Sequence, residues 1–110
     1  MIDPDRIYRN LVECGETWAN NVESAELLES SLKSVKAQYA LDAKAAEGCS
    51  MTEAEQIAIS SANYRDHAAA AIKARTAANI AKVRYDAAKA LFEARRSLEA
   101  SERAANRAAT

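Results

Sequence analysis

The side chains whose spacing best suits chemistry are cations. Arg75, Lys82, Lys89, Arg96 and Arg103 recur every seven residues, and Arg107 extends the row by one turn. On a single helix they fall along one side over about 42 Å, at a rise of ~1.5 Å per residue. Such a row can follow a phosphate backbone and release its counterions. Tyr85 and Phe92 border it and can stack on bases. The same residues also read as an ordinary solvated face, because Asp86 and Glu93 are interleaved at helix-pairing distances from Lys82, Lys89 and Arg96.

Other chemistry is sparsely provided. His67 is the only histidine, and its sequence neighbour Asp66 points roughly 100° away around a helix. The sequence holds no glycine-rich phosphate loop and no two-histidine metal motif. Cys14 and Cys49, if joined by one helix, stand about 52 Å apart, too far for a disulfide without a bend. Their spacing is not that of a metal site, so they read as small, reduced, buried residues of an intracellular protein. The expectation is a chain that is not an enzyme and that takes no cofactor or metal.

Composition supports this. The chain has 110 residues, of which 27 are Ala, 2 are Gly and 1 is Pro. With so few turn-forming residues there is little loop, and 5% aromatics are too few for a β-sandwich or barrel core. The net charge of −1 hides a split: residues 1–57 carry −6 and residues 58–110 carry +5. This is the pattern of two halves that face each other, or of a basic end that meets something acidic. The polar opening carries Asp3, Asp5, Arg6 and Arg9 and reads as no signal peptide. No apolar run approaches the ~18 residues of a membrane span.

The elements that would position these groups are helices. Asp3-Pro4 marks a start, with Asp3 as N-cap and Pro4 in the first helical position. Two heptad rows follow: Leu11, Trp18, Ala25, Leu32, Tyr39 and Ala46, and Ile7, Cys14, Asn21, Leu28 and Val35. They form one seam, with Asn21 a polar interruption that fixes register or faces water, and Trp18 a core residue or a partner anchor. Gly15 reads as tolerated within this helix and Gly48 as its C-cap. Ser50–Glu53 and Thr52–Glu55 both fit a capping box. After it no Gly or Pro occurs, so one helix is expected over about 53–107. Its clearest stripe is Ile72, Thr76, Ile80, Val83, Ala87, Leu91, Ala94 and Leu98, an eleven-residue period that favours nearly straight packing. A second stripe, Ile57, Tyr64, Ala71, Ala78, Tyr85 and Phe92, lies on another side. One partner helix cannot cover both sides.

The expected fold is all-α: an elongated antiparallel helical hairpin or coiled coil completed by dimerisation. It is read as a single helical domain over 1–110, with a helix at about 4–47, a turn at 48–52 and a helix at about 53–107. Residues beyond about 95 overhang the hairpin. The acids Glu13, Glu16, Glu23, Glu26 and Glu29 then lie opposite Lys73, Arg75, Lys82 and Arg84, which selects the antiparallel arrangement.

Three segments carry a family resemblance: Ala78-Asn79, Lys82-Val83-Arg84-Tyr85-Asp86, and Phe92-Glu93-Ala94-Arg95-Arg96-Ser97. Together they resemble the C-terminal part of small helical proteins encoded by tailed phages and prophages. The stretch from Tyr8-Arg9 to Trp18-Ala19 is similar to the start of those proteins. They have no assigned activity. Some are encoded near recombination or strand-annealing genes, and phage proteins of this size include anti-CRISPR inhibitors of host defence.

Three functions follow as expectations. The first is a phage-type interaction protein, with anti-CRISPR-like inhibition of host defence as one specific form, that binds a protein partner through Tyr64, Tyr85, Phe92 and Leu98. The second is a nucleic-acid-binding accessory of recombination that uses the basic row. The third is a structural coiled-coil assembly protein. The expected location is the cytoplasm, that of the host cell if the chain is phage-encoded. The expected partners are a second copy and another protein, with nucleic acid as an option and no membrane.

Overall fold

The computed structural model describes residues 3–109. They form three helices: α1 (Pro4–Glu47), α2 (Met51–Ser60) and α3 (Ala62–Ala109). Ala is the strongest helix former, and its abundance sustains helices of this length.

The ends follow the capping chemistry. The Asp3 carboxylate accepts the Asp5 amide at 3.1 Å, and the Asp3 carbonyl accepts the amides of Arg6 and Ile7. α1 ends at Gly48, whose φ of 64° is left-handed and whose N–H donates to the Lys44 carbonyl at 2.9 Å. This single bond satisfies one of the free carbonyls of the last turn. The Ser50 hydroxyl accepts the Glu53 amide at 3.2 Å and opens α2.

The single helix expected over 53–107 is corrected to two helices that part at Ser61. The backbone there is extended, at φ −69° and ψ 145°. The Ser61 hydroxyl donates to the Ala58 carbonyl at 2.8 Å and accepts the Tyr64 amide at 3.1 Å. One side-chain oxygen thus serves the end of α2 and the start of α3, which makes Gly or Pro unnecessary at the break.

Contacts gather into two compact units. One comprises the chain up to Ala19 together with the chain from Asn79 onward; the other is Asn20–Ala78. In the first, α1 runs antiparallel to α3. The Tyr8 and Phe92 rings meet at 6.0 Å between centroids, and Trp18 stacks on Tyr85 at 5.2 Å. Ile7, Ala81 and Ala88 are buried there. In the second, Glu29 meets Arg75, and the Tyr39 hydroxyl accepts the Asn63 amide at 2.7 Å. Here the buried residues are Ala25, Ala40, Ala54, Ala58, Ala71 and Ala78. α2 packs through Ala54 and Ala58 on Ala40, flanked by Tyr39, Ala43 and Cys49.

On α1 the residues of the two heptad rows from Ile7 to Tyr39 are buried or half-buried, Asn21 among them; Ala46 is exposed. On α3 the stripes exchange roles. Tyr64, Ala71, Ala78, Tyr85 and Phe92 face inward, while Ile72, Ile80, Val83, Leu91 and Leu98 are exposed.

α1 passes through Gly15 without interruption. The Tyr85 ring lies against this glycine, and a Cβ there would sit 3.4 Å from Tyr85 Cε2 and 3.6 Å from Cδ2, ordinary van der Waals distances. Gly15→Ala therefore fits, and we expect it to stabilise the fold by about 0.5–1 kcal/mol through helix propensity. Gly48→Ala meets open space but a left-handed backbone, and should cost about 1–2 kcal/mol. Urea unfolding of the two variants checks both signs.

Candidate functional site

The basic row is not one continuous free surface. In Asn20–Ala78, α3 turns Ala68, Ala71, Arg75 and Ala78 inward. In the other unit it turns Ala81, Tyr85, Ala88, Phe92 and Arg95 inward. The basic row lies three residues before Ala78, Tyr85 and Phe92 of the inward heptad row, so it flanks the seam rather than forming it. Arg75 accordingly lies half-buried, and both its Nε and Nη2 donate to the Glu29 carboxylate, at 3.0 and 2.6 Å. Two of its guanidinium N–H groups are thus engaged within the chain, which sets Arg75 apart from the exposed cations of the row.

Lys82, Lys89, Arg96 and Arg103 are exposed. The Arg96 guanidinium lies 5.9 Å from the Phe92 ring centroid, a cation–π contact one turn apart on the same helix. Arg107 is exposed in the last turn of α3, where a cation suits the helix dipole. Arg95, which falls outside the row, has its Nε 3.3 Å from the Glu99 carboxylate.

The expected protein interface is also redistributed. Tyr64, Tyr85 and Phe92 are half-buried on the inward face, Tyr85 under Trp18 and Phe92 beside Tyr8. Tyr85 and Phe92 thus pack against rings of α1, and each of the three keeps part of its surface open. Leu98 is exposed as expected, and it belongs to the outward face. There Ile80 is 48% exposed, Val83 67%, Leu91 46% and Leu98 49%. Their steps of three, eight and seven residues, with Ala87 and Ala94 between, place them on one side of α3, away from the seam. Water meets a row of aliphatic side chains along about 27 Å of helix, at ~1.5 Å per residue. From residue 100 to residue 109 every side chain of α3 is exposed, which fits an overhanging end.

A second feature had no forewarning in the sequence. Where α2 packs on α1, an open groove of about 490 Å³ is lined by Lys33, Lys36, Ala40, Leu41, Met51 and Glu55. It lies where α2 returns beside α1 after the turn at Gly48.

The remaining reactive groups are dispersed. His67 is exposed on α3, and Cys14 and Cys49 are free thiols, each half-buried. Among the described residues no three His, Cys, Asp or Glu side chains are placed to hold a metal ion. No helix among them is long and apolar enough to cross a membrane. Comparison of the chain with known protein families, curated proteins and solved structures finds no match.

The Glu29–Arg75 pair gives a testable pH dependence. The hydrogen bonds from Arg75 hold the Glu29 carboxyl below its ordinary range, against the opposing effect of desolvation, with the charges of Arg75 and Lys33 adding to the lowering. A carboxyl whose pKa is depressed in the folded state contributes stability above its unfolded pKa and loses it as pH falls through the folded value. The melting temperature of Glu29→Gln should therefore lie below the parent at neutral pH. The gap should close as pH falls below about 5 towards 3. A gap that persists unchanged to pH 3 would count against the pair.

Proposed function

We propose that this chain is a non-enzymatic interaction protein that recognises partners through helical surfaces. The observation that carries the reading is the outward face of α3, where Ile80, Val83, Leu91 and Leu98 are each about half or more exposed on one side of one helix. Apolar side chains gathered in this way mark sites of protein association. A second copy of the chain is the first partner we assign to this face, which would complete the helical core as a dimer. Another protein is the functional partner, engaged through the same face or through the exposed end of α3. The resemblance to small phage proteins supports placing the chain among phage interaction proteins, with inhibition of a host defence complex as one specific form.

The exposure of Lys82, Lys89, Arg96 and Arg103 favours a second reading, nucleic-acid binding along the row beyond Arg75. Anisotropy of labelled oligonucleotides separates the two readings. A phosphate contact weakens with salt and with each cation removed, lowering the salt slope by about 1 per contact, whereas binding through the apolar face is nearly indifferent to both.

Light scattering across the micromolar range tests the primary reading. The parent should move from monomer to dimer as concentration rises. Val83→Asp with Leu91→Asp should remain monomeric with unchanged helical circular dichroism. A parent that stays monomeric throughout would contradict self-association through this face.

A further inference from the structure

The groove between α1 and α2 has a chemistry of its own. Its aliphatic lining is built by Ala37, Ala40, Leu41 and Met51. Leu41 and Met51 are both exposed there. Lys33 and Lys36 on α1 and Glu55 on α2 supply the charges, so cations outnumber the carboxylate. From Lys33 to Leu41 the groove follows α1 for about 12 Å, just over two turns of an α-helix at ~5.4 Å per turn. The lysines lie towards one end of that length and Leu41 at the other.

We propose that this groove holds an acidic amphipathic helix of a partner protein. Its aliphatic side chains at i, i+4 and i+7 lie on Leu41 and Met51, and its carboxylates reach Lys33 and Lys36. The inference rests on the reading of the chain as a protein-binding module and assigns it a second surface, distinct from the outward face of α3. Charge complementarity sets the occupant: the excess of lysine selects an acidic helix over a basic one. The length and openness of the groove suit two turns of helix laid lengthwise, with its apolar face down.

The chain has two methionines, so ¹³C-methyl methionine labelling isolates the Met51 signal, assigned with Met51→Leu. The probe is an amphipathic helical peptide of about 14 residues with Leu at i, i+4 and i+7 and Glu on its flanks; its twin carries Lys on the flanks. The Met51 signal should shift saturably with the Glu peptide and far less with the Lys peptide. Lys33→Glu with Lys36→Glu should weaken the Glu peptide by about tenfold or more and reverse the preference in favour of the Lys peptide.

An unmoved Met51 signal, or equal binding of both peptides regardless of the lysines, would overturn the proposal. So would a Met51 shift that follows protein concentration alone, which would assign the groove to a second copy. Val83→Asp with Leu91→Asp should bind the Glu peptide as the parent does. Loss of peptide binding beside intact, Val83-dependent self-association would sink the groove alone and leave the primary reading standing.

Discussion

The structure depends on helices that meet through alanine. Among the described residues, those buried in the core are all Ala apart from Ile7. A methyl side chain lets two helix backbones approach closely, and the spacing between packed helices follows the side chains at the contact. It also buries little apolar area, so each contact contributes little to stability. The fold balances that weakness with high helix propensity along α1 and α3, and with aromatic stacking where space allows. Gly15 belongs to the same logic: without a side chain, it lets the Tyr85 ring rest directly on α1 beside Trp18.

Ile72, Ile80, Val83, Leu91 and Leu98 stay exposed on α3, away from its inward row. At the edge of the seam Arg75 reaches Glu29, while Lys82, Lys89 and Arg103 stay exposed. The end of α3 carries mainly Ala between polar residues, and it extends as helix on propensity.

Much of this was legible in the sequence, and the rest failed for identifiable reasons. The heptad rows of α1 are marked by Leu, Trp, Tyr and Val, and those residues do face the seam. The caps at Asp3, Gly48 and Ser50 were readable because each residue type does a specific job at a helix end. The charge split foreshadowed the Glu29–Arg75 pair. On α3 the pattern misled: the strongest aliphatic stripe is the outside of the helix, because the true seam is written largely in alanine, which carries almost no periodic signal in so Ala-rich a chain. The three aromatics of that seam, Tyr64, Tyr85 and Phe92, were visible but assigned to a partner. The break at Ser61 was hidden because a serine hydroxyl does what Gly or Pro usually announces.

The central claim is that on α3 small residues form the inside and large aliphatic ones the outside. Urea unfolding of Ala78→Leu and Val83→Ser tests it directly. Ala78 is 1% exposed, and a leucine there should force the helices apart and cost about 1–3 kcal/mol. Val83 faces water, and its replacement should change the stability of the monomer by no more than about 0.5 kcal/mol. The opposite ranking, with Ala78→Leu tolerated and Val83→Ser strongly destabilising, would show that the aliphatic stripe is the core and would contradict the account.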